Sequence, residues 1–188
     1  LNRFDKIIVH NELSKSELVK KKCPEQKIVV IPHGNYLPFI NELSYEPKNS
    51  EPLKLLFFGQ IKEVKGLDVL LESLSLLKKK TNNFHLTIAG KPWHDSIKKY
   101  DKLLLELKEN TNARFEYIPN NEIQSYFEAA DVIMLPYKNI YQSGVLLLSM
   151  SYNRPVIVSD LSAFQEIITD GESGIVFESE NSYSLYKK

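Results

Sequence analysis

Gln142-Ser143-Gly144-Val145 opens a strongly apolar segment, Val145 to Met150, after a polar loop. The first turn of a helix leaves backbone N–H groups unpaired and carries roughly half a positive charge, so a helix starting here suits an anion such as phosphate. Ser143 adds a hydroxyl, and Gly144 has no side chain to hold a ligand off the backbone. The other reading of Ser143 is a plain helix cap, and both stand at this point. A second place for chemistry is the loop Gly59-Gln60-Ile61-Lys62-Glu63-Val64-Lys65-Gly66. Its lysines lie just before or in the first turn of a helix, where cations oppose the helix dipole, whereas Lys78, Lys79 and Lys80 at the far end complement it. Lys65 is therefore either the partner of a bound anion or a solvated surface lysine.

Other chemistries find little support. The loop is not a phosphate-binding G-x-x-x-x-G-K-[ST] loop, since Lys65 precedes Gly66 and Leu67 follows it. There is no G-x-G-x-x-G, which argues against a dinucleotide cofactor, and no H-E-x-x-H or G-x-S-x-G. His85 reads as structural within a strand, and His10, His33 and His94 read as surface or turn residues. Trp93 beside Pro92 reads as packing for the next helix, with stacking on a ligand at the Gly90 edge as the alternative.

The elements that must position these residues alternate almost without a break. Strands are expected at Lys6–His10 and Lys27–Ile31, with a helix between them started by a Ser14-x-x-Glu17 capping box. The stretch from Asn41 to Pro52 reads as a linker. Six further strands follow, Leu53–Phe58, Phe84–Ala89, Ala113–Ile118, Asp131–Leu135, Pro155–Ser159 and Gly174–Phe177. The helices between them are expected at about Gly66–Lys79, His94–Glu109, Asn121–Ala129, Ser143–Tyr152 and Ser162–Thr169. The strands are continuous apolar runs, as in a parallel sheet covered on both faces, and the alternation implies a doubly wound α/β sheet. The helix after Ser143 has no polar face, so burial is expected. Ligands of such sheets bind beyond the carboxyl ends of the strands, where Gly59-Gln60, Gly90-Lys91, Tyr117-Ile118-Pro119 and Pro136 to Gly144 fall. Each glycine is also compatible with a plain strand-to-helix turn.

The 188 residues suit one large domain or one domain with an appendage, and 24 basic against 24 acidic residues argue against a nucleic-acid partner. Cys23 is the lone cysteine, so neither a disulfide nor a thiolate metal site forms within the chain, and a reducing compartment is expected. No apolar run reaches the length of a membrane span. The lysines at 20–22 and 78–80 read as solvated faces, with an anionic surface as the alternative. The first residue is not Met and the last ones fall inside a helical pattern, which reads as a piece of a longer protein.

Taken in order, F-D-K-I-I-V-H-N-E-L to V-V-I-P-H-G-N-Y-L (4–37), L-L-F-F-G-Q-I-K-E-V-K-G-L-D-V-L-L-E-S-L (55–74), the strand Leu86–Gly90, Y-F-E-A-A-D-V-I-M-L-P (126–136) and R-P-V-I-V-S-D to E-I-I-T-D-G-E-S-G-I-V-F (154–177) resemble a family 4 retaining glycosyltransferase of the GT-B fold. The resemblance is to its C-terminal, Rossmann-like donor-binding half. It implies that residues 1–40 close the acceptor domain and cross the hinge, that 41–52 link, and that 53–188 form a nucleotide-sugar binding domain cut short at its C-terminus. It further implies a nucleotide-diphosphate sugar as donor, no metal or other cofactor, and transfer with retention to a glycan or lipid-linked acceptor bound by an absent N-terminal domain. The location implied is cytoplasmic, with peripheral contact at the inner membrane face. By the same resemblance Lys65 neutralises the diphosphate, Gly59 lets it approach the backbone, Gly90 and the Tyr117-Ile118 segment border the nucleoside with backbone groups of Ile118 reading the base, and Gln142, Ser143, Gly144 and Val145 hold phosphate and sugar.

Two departures qualify this. Gln60 replaces the family's loop arginine, losing a permanent charge and a two-pronged phosphate contact. The family's pair of glutamates falls on Ile140 and Leu148, so no carboxylate is available for the ribose. The alternatives are a non-catalytic α/β nucleotide-binding or scaffold module, supported by that loss, and a GT-B nucleotide-sugar epimerase. As a fragment, the chain is expected to bind donor without turning it over.

Overall fold

The computed structural model describes residues 4–40, 51–93 and 97–188. In chain order the elements are β1 (Ile7–Val9), α1 (Glu12–Lys20), β2 (Ile28–Val30), β3 (Leu53–Phe58), α2 (Leu67–Lys78), β4 (Phe84–Ala89), α3 (Asp101–Glu106), β5 (Thr111–Arg114), α4 (Asn120–Ala129), β6 (Val132–Leu135), α5 (Gly144–Ser151), β7 (Val156–Ser159), α6 (Ser162–Gln165), β8 (Ile175–Phe177) and α7 (Ser182–Lys187). Strands β3 to β8 form one parallel sheet in the order β5-β4-β3-β6-β7-β8, and β1 pairs with β2 in a small parallel sheet of its own. This is the doubly wound sheet the apolar runs predict. The chain leaves β3 towards β4 and β5, then returns to the other side of β3 to lay down β6, β7 and β8. The switch in direction between β3 and β6 opens the crevice such sheets use for ligands.

Two apolar layers sandwich the sheet. On one face α2 buries Leu67, Leu70, Leu71 and Leu74 against Leu55, Phe57, Leu86 and Ile88, and α7 docks Leu185 onto the same cluster. On the other, Phe127 of α4, Leu146 of α5 and Phe164 of α6 close over Leu56, Ile133, Leu135, Val156 and Val158. Side chains of one strand thus serve both layers, which explains the unbroken apolar runs.

Several boundaries differ from expectation. The cap of α1 is Asn11, whose Oδ1 accepts from Ser14 N–H at 2.8 Å; Glu17 pairs with Lys20 at 2.7 Å instead of closing a capping box on Ser14. β5 is Thr111–Arg114, not Ala113–Ile118. It is an edge strand with one partner, β4, and the apolar residues beyond it, Phe115 and Ile118, pack into the two cores as irregular chain. The third long helix is a 3-10 turn, Ile97–Tyr100, followed by the short α3; His94 lies outside the described residues. α6 stops at Gln165, where Ile167 and Ile168 N–H both turn back to the Phe164 carbonyl. Residues 41–50 of the expected linker also lie outside the described residues.

Candidate functional site

Three glycines pull the carboxyl ends of the central strands together. Gly90, at φ +153°, passes so close to Gly59 that a Cβ on it would stand 1.8 Å from the Gly59 carbonyl oxygen. Gly59, at φ +99°, would set a Cβ 3.3 Å from Val145 Cγ2, so the β3 loop abuts the start of α5. Gly66, at φ +65°, would set a Cβ 1.8 Å from the Pro136 carbonyl oxygen, and Lys138 N–H donates to Val64 O at 2.8 Å beside it. Gly66 and Gly90, packed against backbone at positive φ, leave room only for glycine. These contacts join the loops after β3, β4 and β6 at the switch point.

Lys65 ends the 3-10 turn Glu63–Lys65 that precedes α2. Its Nζ lies 3.6 Å from the centroid of the Tyr137 ring, a cation–π contact. Burial, and secondly the charge of Lys62, lower its pKa to about 8. Tyr137 is fully buried directly after Pro136, and its carbonyl accepts from Ser159 Oγ at 2.6 Å and Ser179 Oγ at 3.3 Å. Burial pushes its phenol up, and the hydroxyl has no hydrogen-bond partner among the described residues: Ser143 lies near it, outside hydrogen-bonding geometry.

Ser143 is the N-cap of α5, its Oγ accepting from Leu146 N–H at 3.1 Å. The capping reading therefore holds, and it leaves the N–H groups of Gly144 and Val145 at the open end of the helix. α5 is not buried all round, contrary to what its composition suggests. Leu146 meets the sheet and is fully buried, while Met150 is 41 % exposed. Its other apolar residues line two cavities. One, of about 650 Å³, has Tyr36, Phe39, Ile40, Asn120, Ile123, Gly144, Val145, Leu148 and Tyr152 on its wall. The other, of about 450 Å³, is lined by Gln142, Ser143 and Leu147 together with His10, Asn11, His33 and Glu166.

Gly59, Gly90, Lys65, Ser143, Gly144 and Val145 thus meet at one edge. Gln142 faces the more polar cavity and Gln60 is half-buried in the β3 loop. Ile118, expected to act through its backbone, buries its side chain in the core and lines neither cavity with it. Leu148 presents hydrocarbon to the larger of these cavities where the family has a carboxylate, and Ile140 packs against the core. The residues sequence reasoning missed come from the N-terminal segment. Tyr36 N–H donates to Ser151 Oγ at 3.0 Å and its hydroxyl stands 3.2 Å from where a Gly144 Cβ would be; Asn11 Nδ2 donates to the Tyr141 carbonyl. His10 and His33 bond through Nδ1 to the carbonyls of Ile31, at 2.9 Å, and Gly34, at 2.6 Å. A carbonyl only accepts, so Nδ1 carries the proton in each ring. Among the described residues no group of three or more His, Cys, Asp or Glu is arranged to hold a metal ion, and no helix is long and apolar enough to cross a membrane.

Known proteins agree with this architecture. A GDP-mannose:glycolipid 4-beta-D-mannosyltransferase of Xanthomonas campestris pv. campestris is 27 % identical over 151 residues, 80 % of this chain and 42 % of that protein. The amylovoran biosynthesis glycosyltransferase AmsK of Erwinia amylovora is 27 % identical over 178 residues, 87 % of this chain and 41 % of its own length. The chain thus spans less than half of either. Among solved structures, Anabaena HepE in complex with UDP superposes with a TM-score of 0.80 at 15 % identity, over 99 % of this chain and 53 % of that one. S. aureus TarM, in a complex containing UDP, gives 0.78 at 20 % identity over 100 % and 36 %. At these identities the superpositions speak for the fold, which is that of the GT-B Rossmann-like domains. The family model for glycosyl transferases group 1 matches residues 52–188, the whole of the main sheet and its helices, and the chain belongs to that family.

Proposed function

We propose that this chain is the donor-binding part of an enzyme that moves a sugar from a nucleotide-diphosphate sugar to a glycan or lipid-linked glycan, with retention at the anomeric carbon. The observation that carries the reading is Lys65: a half-buried ammonium at the switch point, resting on an aromatic ring, with no ion-pair partner among the described residues. A cation kept there at a cost in solvation has its natural partner in a pyrophosphate. Departure of the nucleoside diphosphate builds negative charge that spreads over the leaving diphosphate, and Lys65 with the open N–H groups of Gly144 and Val145 would face that group. Fixed dipoles and charges of this kind, aimed at developing charge, act mainly on the transition state. No metal enters this scheme; the ammonium and the helix end supply the positive potential.

The acceptor belongs to a part of the parent protein beyond this chain, at the inner face of the cytoplasmic membrane. Two relatives support a glycan or glycolipid acceptor, one named for a glycolipid substrate and one for amylovoran biosynthesis. Calorimetry of the chain with UDP and GDP tests the donor assignment. One of them binds in the micromolar range, and Lys65→Ala weakens it about 10- to 100-fold, the worth of a charge-assisted contact. Equal affinity in chain and variant sinks the assignment. Retention is checked separately, by the anomeric configuration of the parent enzyme's first-formed product in NMR.

A further inference from the structure

A second ammonium shares the turn that carries Lys65. Lys62 is the N-cap of the turn Glu63–Lys65, and Lys65 N–H donates to its carbonyl at 2.9 Å. The two side chains part towards two aromatic rings: Lys65 Nζ is 3.6 Å from the Tyr137 centroid, and Lys62 Nζ is 4.6 Å from the Trp93 centroid. Trp93 is fastened to the same loop, because its N–H donates to the Ile61 carbonyl at 2.9 Å and Ile61 N–H donates to the Lys91 carbonyl at 3.0 Å. The resulting Ile61–Pro92 bridge prolongs the β3–β4 pairing past Gly59 and Gly90. Trp93 nevertheless stays 48 % exposed, although it is large, apolar and held by backbone bonds.

Lys62 and Lys65 repel each other, as the contribution of Lys62 to the lowered pKa of Lys65 records. The carboxylate on their own turn, Glu63, reaches Lys99 at 3.4 Å. Among the described residues neither lysine enters an ion pair. A ring face holds an ammonium in place and leaves its charge unneutralised, so both charges stay available to a ligand. Two such charges on one tight turn match an anion with more than one charge.

We infer that Lys62, steadied by the Trp93 ring, is a second diphosphate-binding cation of this site and supplies the charge that Gln60 lacks. The inference rests on the donor reading above. Lys62 is a binding residue, and Trp93 a positioning residue acting through it. A nucleoside monophosphate reaches Lys65 and the α5 end alone, whereas a diphosphate spans both lysines; Lys62 therefore discriminates between them.

The test is calorimetry of the chain with UDP, UMP, GDP and GMP, on proteins whose thermal unfolding midpoints agree. Lys62→Met weakens the diphosphates about 10-fold and the monophosphates less than about twofold, the difference of one charge-assisted contact. Adding Gln60→Arg to Lys62→Met restores most of the loss. Trp93→Leu costs the diphosphates about threefold, and Trp93→Phe, which keeps a ring face, costs less than that. If Lys62→Met binds diphosphates as the unaltered chain does, or loses both classes equally, the role of Lys62 is overturned while the donor reading stands. If the unaltered chain binds neither UDP nor GDP, the donor reading falls and takes this inference with it.

Discussion

Lys65 and Lys138 flank the same tyrosine and have opposite fates. Lys138, one residue after Tyr137, places its Nζ 2.6 Å from Asp68 Oδ2 on α2. Burial alone would lower its pKa, but the hydrogen bond and charge of Asp68 outweigh that and raise it. Lys65 is given a ring in place of a carboxylate, and burial with the nearby Lys62 brings it down to about 8. The first arrangement satisfies a charge and ties the β6 loop to α2. The second leaves a charge with no ion-pair partner among the described residues, at the crevice proposed above for the donor. On the proposed donor reading, a structural lysine and a ligand-binding one are told apart by what faces the ammonium, not by exposure or position in sequence.

The hardest way to break both arrangements at once is to part the segments that carry them. Gly66 sits between Lys65 and the helix bearing Asp68, and its contact with the Pro136 carbonyl sets where Tyr137 and Lys138 lie. Gly66→Ala would force a Cβ into that carbonyl at an unfavourable φ. The expected loss is about 3–4 kcal/mol of unfolding free energy, combining backbone strain with overpacking. Gly34→Ala is the control, since nothing lies within 4 Å of its Cβ position and its effect stays within about 0.5 kcal/mol. Urea denaturation of both variants measures the contrast, and similar midpoints would mean the Gly66–Pro136 contact is not what fixes the crevice.

Binding should follow Lys65 and ignore Lys138 as pH changes. With Lys65 at about pKa 8 in the free site, nucleoside diphosphate affinity changes little at about pH 7, where the terminal phosphate, with a second ionisation at about pH 6, is already mostly dianionic. Above pH 8 it falls towards tenfold per unit, as the free site loses the proton that the bound form keeps. The bound anion favours the ammonium, so binding near pH 8 takes up a fraction of a proton. Calorimetry in two buffers of different ionisation enthalpy reads that uptake. A level affinity from pH 6 to 10 rules out Lys65 as the titrating cation.

Stability should show the same opposition with the signs reversed. Lys65 is charged in the unfolded chain up to its ordinary pKa near 10.5, and folding depresses that value. Lys65→Met therefore stabilises the fold, by about 1–2 kcal/mol after allowance for solvent screening and the lost ring contact. The gain is full below about pH 8 and disappears as pH rises from 8 to about 10.5, where the unfolded lysine also becomes neutral. Lys138→Met instead costs about 1 kcal/mol, because it strands Asp68, whose Oδ1 is already buried without a partner. Thermal unfolding at pH 7 and pH 10 separates the two, and a destabilising Lys65→Met would place Lys65 with the structural lysines.

How much of this could be read from the residues depends on how local the cause is. β3, β4, β6 and β7 fall within a residue of expectation because two-sided burial writes itself into an unbroken apolar run. β5 was displaced because an edge strand needs only one partner, so Phe115 and Ile118 were free to serve the cores as loop. The cap of α1 went to Asn11 over Ser14, as neighbouring polar residues compete for one helix end and propensity hardly separates them. At the site, Lys65 and Ser143-Gly144 were legible because charge and side-chain loss are unusual at a helix start. Tyr137 under Lys65 was not, since that contact comes from β6 returning beside β3. For the same reason His10 and His33 were read as surface or turn residues, and Tyr36 and Asn11 only as part of segment 1–40. Their part in the two cavities arises only when the N-terminal segment lies against α5.

The gentlest probe of the comparison is Tyr137→Phe. If the ring face is what holds Lys65, the phenol oxygen is dispensable: it is buried without a hydrogen-bond partner among the described residues, and its removal leaves the face intact. Losing an unsatisfied buried hydroxyl offsets the small void it leaves, so stability should move by less than about 1 kcal/mol, and upward if it moves. Diphosphate affinity and its fall above pH 8 should stay within about twofold of the unaltered chain, because a phenyl ring presents nearly the same negative face. Tyr137→Leu removes that face and keeps the position apolar. It should loosen Lys65 into solvent, return its pKa towards 10.5, and carry the binding profile to higher pH with it. The two substitutions differ only in the ring, so a matching pH profile in both would show that burial by itself, and not the aromatic contact, makes Lys65 unlike Lys138.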